Sequence, residues 1–260
     1  LTELNITGVA AVTTGVIGTD AASGDAAGLA TINITGAGTG TVTVGNIFAD
    51  TMATSSTAVD GQQTVNVTAN TGSTVSIGTI DNEFGYTTLN LVGNGTTSAL
   101  TMKADGAFGG ITANVSGAGA TTITQLDAGT GDLIVNSSGS GAKIYSALDS
   151  TDDATITFSG PGNHTITATT ITDDVTLDAS GLTGSFLTSD ISGIGGTATV
   201  TGPATVGFTS LKLAGTAASN AIVTLGVNGV TDQLVTGSTS AAGGIEVVNF
   251  KAEIGRASCR

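Results

Sequence analysis

Tryptophan is absent from this chain, and proline, histidine and cysteine nearly so: 260 residues hold two Pro, one His and one Cys. Charged residues make up 10%, against about 25% in an average globular domain. Each scarcity excludes something. A single Cys rules out an internal disulfide and a thiolate metal cluster. A single His rules out a multi-His metal site and leaves one residue for any His-based triad. Six basic residues against 20 acidic ones give a formal charge of −14. Such a surface repels nucleic-acid phosphates and anionic lipid and attracts cations, so neither nucleic acid nor membrane is an expected partner. No apolar run is long enough to span a bilayer, and no signal peptide is visible. The chain opens on Leu1, so an N-terminal segment is expected to be missing.

The last eight residues, Glu253-Ile254-Gly255-Arg256-Ala257-Ser258-Cys259-Arg260, hold the only Cys and both Arg. They resemble the translation of a common sequencing adapter and are expected to be an artefactual tail, set aside from fold reasoning. Residues 1–252 then contain Lys103, Lys143, Lys212 and Lys251 as their only basic side chains.

What is present is Gly, 40 residues of it, with abundant Thr, Ala, Ser and Val and 39% apolar residues overall. That is enough apolar surface to offset chain entropy, so disorder is not expected. The residues are arranged as a repeat. Short alternating segments recur: Leu4-Asn5-Ile6-Thr7-Gly8, Ile32-Asn33-Ile34-Thr35-Gly36, Val65-Asn66-Val67-Thr68-Ala69, Leu89-Asn90-Leu91-Val92-Gly93 and Ala113-Asn114-Val115-Ser116-Gly117. Four more end at Gly139, Gly160, Gly181 and Gly202. In each, first and third positions are mostly apolar and the second is polar, the pattern of a strand with one buried face. A second apolar strand follows about eight residues later, as at Val42-Thr43-Val44 and Val75-Ser76-Ile77. The fold class expected is therefore all-β, a parallel β-helix or β-solenoid with coils of about 21–24 residues, forming one elongated repeat region over residues 1–252. The first two spacings are longer and predict loop insertions at Thr14–Gly28 and Asp50–Gly61. Tandem β-sandwiches are the alternative, but they would repeat about every 80–100 residues.

Stacked coils bring residues one period apart to about 4.8 Å, so columns carry the chemistry. Asn5, Asn33, Asn66, Asn90, Asn114 and Asn136 form one, pointing outward. Several of them begin N-x-S/T triplets, but stacked amides can instead hydrogen-bond along the column. The Gly residues at 139, 160, 181 and 202 form a second column, at the coil corner. A third contains Asp132, Asp153 and Asp174, each directly before a strand and thickened by Asp152 and Asp173. Carboxylates in register repel by roughly 3 kcal/mol per pair at an effective dielectric near 20. Either a cation sits between them or solvent screens them. Carboxylate and turn carbonyl oxygens are what Ca²⁺ takes, so Asp132, Asp152, Asp153, Asp173 and Asp174 are the candidate metal ligands. The calcium nonapeptide G-G-x-G-x-D-x-U-x is absent. His164, following Gly160-Pro161-Gly162-Asn163, is expected to be a solvated turn residue.

Three stretches carry a family resemblance: Leu4-Asn5-Ile6-Thr7-Gly8, Thr31-Ile32-Asn33-Ile34-Thr35-Gly36-Ala37-Gly38 and Val175-Thr176-Leu177-Asp178-Ala179-Ser180-Gly181-Leu182-Thr183-Gly184. The chain resembles bacterial S-layer and calcium-dependent repeat proteins exported by type I secretion. The resemblance implies folding with Ca²⁺ outside the cell and assembly into a lattice. Open solenoid ends expose sheet edges that need capping, so self-association with copies of itself or neighbouring repeats is expected, with cell-surface polysaccharide as a further candidate partner. The expected function is a structural component of an extracellular bacterial coat. An adhesin or autotransporter-like fibre is the alternative, with the two inserted loops as binding elements. An enzyme is not expected: residues 1–252 lack the Arg that a polysaccharide lyase uses to balance uronate charge, and aromatics on which sugars stack are few.

Overall fold

The structure is a computed structural model. It describes residues 2–18, 29–48, 62–82, 85–104, 109–185 and 196–203, together with the backbone of the strands Phe186–Ile194, Leu211–Gly215, Asn220–Leu225, Leu234–Thr236 and Ile245–Phe250. The inserted loops predicted at Thr14–Gly28 and Asp50–Gly61 fall largely outside the described residues, as does the tail 253–260.

Every paired strand among the described residues is parallel to its neighbour, and the chain is a β-solenoid. One strand from each coil joins a sheet of 11 strands running in order from Glu3–Gly8 to Ile245–Phe250. The following strand or strands of each coil join a second sheet, of 14. The register of the first sheet follows the sequence repeat: Asn5 pairs with Asn33, Asn33 with Asn66, Asn66 with Asn90, Asn90 with Asn114, Asn114 with Asn136.

The core follows from alternation. In Thr31–Gly36 and Gln63–Ala69 every second side chain is buried and those between are partly exposed. Ile32, Ile34, Val65, Val67, Leu89, Ala113, Val135, Ile156 and Leu177 are fully enclosed from the first sheet. Val42, Val75, Ile77, Ile123 and Ile166 meet them from the second. A one-residue slip in any strand would turn this whole set outward, so burial itself fixes the register. β-branched residues suit both faces, filling the interior and stiffening the exterior.

The corners need glycine where backbones approach. Gly117 and Gly139 adopt φ of 108° and 100°. A Cβ on Gly117 would collide with the Gly93 carbonyl, and one on Gly139 with that of Gly117. The Gly column does not continue as expected. Gly160 pairs with Leu182, and Ser159 with Gly181, because the register shifts after Thr157–Asp178. The Asp178 carboxylate accepts the Ser180 N–H at 2.9 Å. That local turn competes with the ladder and lets one extra residue bulge.

Candidate functional site

The acidic corner forms where the first-sheet strands begin. Asp132 precedes Leu133–Ser137, Asp152 and Asp153 precede Ala154–Gly160, and Asp173 and Asp174 precede Val175–Leu182. The parallel register Leu133–Ala154–Val175 superposes the three positions. Backbone bonds fix them: Leu133 donates to the Asp153 carbonyl and Ala154 to that of Asp174, each at 2.9 Å. All five side chains are exposed.

Two groups result, Asp132–Asp152–Asp153 and Asp153–Asp173–Asp174, with one carboxylate oxygen from each member within 4.8 Å of the others. Asp153 belongs to both. Oxygens bound at about 2.4 Å to one Ca²⁺ lie no further apart than that, so the spacing and the hard-oxygen donor set fit a metal ion. Some donors are already engaged: Asp153 Oδ1 accepts from the Asp174 N–H at 3.1 Å and Asp174 Oδ1 from the Thr197 N–H at 2.6 Å. Each of these carboxylates keeps its second oxygen. Desolvation raises the pKa of Asp132, and the neighbouring Asp152 and Asp153 charges raise it further.

The Asn column forms a continuous ladder on the outer face of the first sheet. Each Nδ2 donates to the Oδ1 of the preceding coil: Asn33 to Asn5 at 2.7 Å, Asn66 to Asn33 at 2.9 Å, and Asn90 to Asn66, Asn114 to Asn90 and Asn136 to Asn114 at 3.0 Å. The Glu3 carboxylate accepts from both Asn5 and Asn33 at the first coil. The ladder accounts for the recurrence of Asn by packing. Along the ladder the face dips into a shallow groove of about 380 Å³, running from Asn90 and Val92 through Asn114 and Ser116 to Asn136, Ser138 and Ser159.

His164 corrects an expectation. It is not a solvated turn residue but is 0% exposed, at the start of the second-sheet strand His164–Ile166. Nδ1 lies 3.1 Å from the Gly162 carbonyl and Nε2 2.9 Å from the Ser137 hydroxyl. A carbonyl only accepts, so the proton sits on Nδ1 and Nε2 accepts from Ser137. The ring packs on Phe158 with centroids 4.5 Å apart, and Phe158 stacks in turn on Tyr145 at 5.7 Å. Burial pulls the His164 pKa down to about 4, only partly opposed by the Gly162 bond, with the nearby Lys143 charge lowering it further.

Lys143 pairs with His164 in the same inward column and is 1% exposed. Its Nζ donates to the Gly117 and Gly119 carbonyls at 3.1 and 3.0 Å, and burial lowers its pKa. Tyr145, one inward position further on, is fully buried, which raises its pKa. This interior polar group was not anticipated, though its signal was present. Lys143-Ile144-Tyr145 and His164-Thr165-Ile166 occupy the alternation of Val42-Thr43-Val44, whose first and third residues point inward.

No helix among the described residues is long and apolar enough to cross a membrane. Comparison with protein-family models, curated proteins and solved structures finds no match to this chain.

Proposed function

We propose that this chain is a structural part of an extracellular bacterial surface layer or coat, self-assembling, stabilised by Ca²⁺ at the acidic corner, and without catalytic activity. The observation that carries the reading is the filled interior. Among the described residues, coil after coil closes on inward side chains, most of them aliphatic, so the outer faces and corners are what remains to act. The residues best suited to proton transfer, Lys143 and His164, are sealed inside the stack at 1% and 0% exposure, where they serve packing rather than a substrate.

The acidic corner supports the calcium part. Three successive coils present overlapping carboxylate triplets, a costly arrangement unless a cation bridges them. A cation held between coils ties neighbouring repeats together, and repeat arrays depend on such nearest-neighbour terms. Electron microscopy and light scattering of the purified chain with millimolar Ca²⁺ or with EDTA test the proposal. Extended ordered assemblies in Ca²⁺ that dissolve in EDTA are expected. A chain that stays dispersed in both conditions, or that binds a host surface as a single calcium-independent fibre, contradicts it.

A further inference from the structure

We infer that the outer face of the first sheet is an interface for a second copy of this chain, docked about a two-fold axis near Asn114 with Tyr86 of each copy in the other's groove. The inference rests on the self-assembling reading above and names the surface that would carry it.

Charge selects the face. The chain carries −14 overall, so two copies repel unless they meet through a neutral surface. The outward positions of the strands from Thr31–Gly36 to Ala154–Gly160 hold Thr, Asn, Ser, Tyr, Val and Ile and no charged side chain. Glu3 and Asp178 bound this stretch along the stack, and the acidic corner stands at its rim. Regularity selects the partner. Coils about 4.8 Å apart and side chains about 6.6 Å apart along a strand are matched by a surface with the same lattice, and another copy has it by construction. Thr is stiff about χ1, and the Asn side chains are held by their ladder, so little rotamer entropy remains to be lost on docking.

Shape selects the axis. An isologous interface requires any knob to have its hole on the opposite side of the two-fold. Tyr86 is 47% exposed, one coil before Asn114 and at the starting edge of the face. The groove runs toward the finishing edge from Asn90 and Val92 through Asn114 and Ser116 to Asn136, Ser138 and Ser159, so its far part lies on the opposite side of Asn114 from Tyr86. A two-fold between them exchanges knob and hole. Six strands by about five residues is on the order of 450 Å² per copy. That is the low end for specific association, which makes the dimer weak and its assembly dependent on repetition.

The test is sedimentation equilibrium of the whole chain under reducing conditions, so that Cys259 cannot cross-link, at concentrations up to millimolar. A reversible dimer is expected. Thr112→Glu, an outward substitution at the centre of the face, should weaken it about tenfold or more through like-charge apposition across the axis. Tyr86→Ser should weaken it comparably. Thr165→Glu, outward on the second sheet, adds the same charge elsewhere and should leave it unchanged. Circular dichroism melts confirm that each variant is folded. Assembly that persists undiminished in both face variants overturns this interface while leaving the coat proposal standing. A chain that remains monomeric throughout, or a Thr165→Glu effect as large as that of Thr112→Glu, also overturns it.

Discussion

His164 sets a condition on pH. Its folded pKa near 4 lies below the ordinary value of 6.5, so between those values the unfolded chain binds a proton that the folded chain refuses. Stability from this residue is complete above pH 6.5 and is lost as pH falls through 4. The shift corresponds to roughly 3 kcal/mol. Asp132 acts in the opposite sense. Its raised pKa means that its ionised form burdens the fold, and acidification relieves that burden. Urea melts at pH 7 and pH 4.5 separate the two. The parent chain should lose stability on acidification, and His164→Gln, which cannot take up the proton, should lose much less. Equal losses in both proteins would show that His164 is not the sensitive group. This residue was misjudged from sequence because its neighbours Gly162 and Asn163 signal a turn. The turn is real, but His164 is already the first inward position of the next strand. Local composition places the turn, and only the stacking of coils shows which side of it faces the core.

Strands and corners respond to substitution according to what lies in the adjacent coil. Asn90 gives one ladder hydrogen bond and receives another. Asn90→Ala removes both and should cost about 1–2 kcal/mol; Asn90→Asp should cost more, because a carboxylate cannot donate to Asn66. Chemical denaturation measures both, and losses under a few tenths of a kcal/mol would show that water replaces the ladder freely. Gly72 and Gly117 both have positive φ but differ in surroundings. A Cβ on Gly72 would meet nothing nearer than the Thr39 methyl at 3.5 Å, whereas one on Gly117 would meet the Gly93 backbone. Gly72→Ala should cost about 1–2 kcal/mol of left-handed strain. Gly117→Ala should cost about 3 kcal/mol or more. Equal costs would mean that the corner yields. The solenoid, the Asn register and the inward apolar set were legible because period-two alternation and a constant repeat both survive in the residues. The break at Gly181 was not: Leu177-Asp178-Ala179-Ser180-Gly181 has the same outline as its predecessors, and the extra residue shows only in the strand pairing, where Ser159 meets Gly181 and the Asp178 carboxylate holds the Ser180 N–H.

For the whole molecule, the fold is a stack in which each coil is stabilised by its neighbours. An ion at the acidic corner therefore acts on cooperativity as well as on local structure. The Asp column could be read from the spacing of Asp132, Asp153 and Asp174; that Asp152 and Asp173 complete two overlapping triplets depends on backbone geometry at the corner, which spacing does not give. Because Asp153 is common to both triplets, Asp153→Asn should disturb cation binding more than Asp132→Asn or Asp173→Asn, each of which spares one triplet. The most direct measurement is a thermal melt of the chain in EDTA and across a Ca²⁺ titration. Ligand that binds only the folded state stabilises it by about 2.7 kcal/mol at a hundredfold excess over Kd. The Tm should climb with Ca²⁺, and climb much less in Asp153→Asn. A Tm indifferent to Ca²⁺, or an equal rise in Asp153→Asn, would contradict this and leave the acidic corner as a solvated edge.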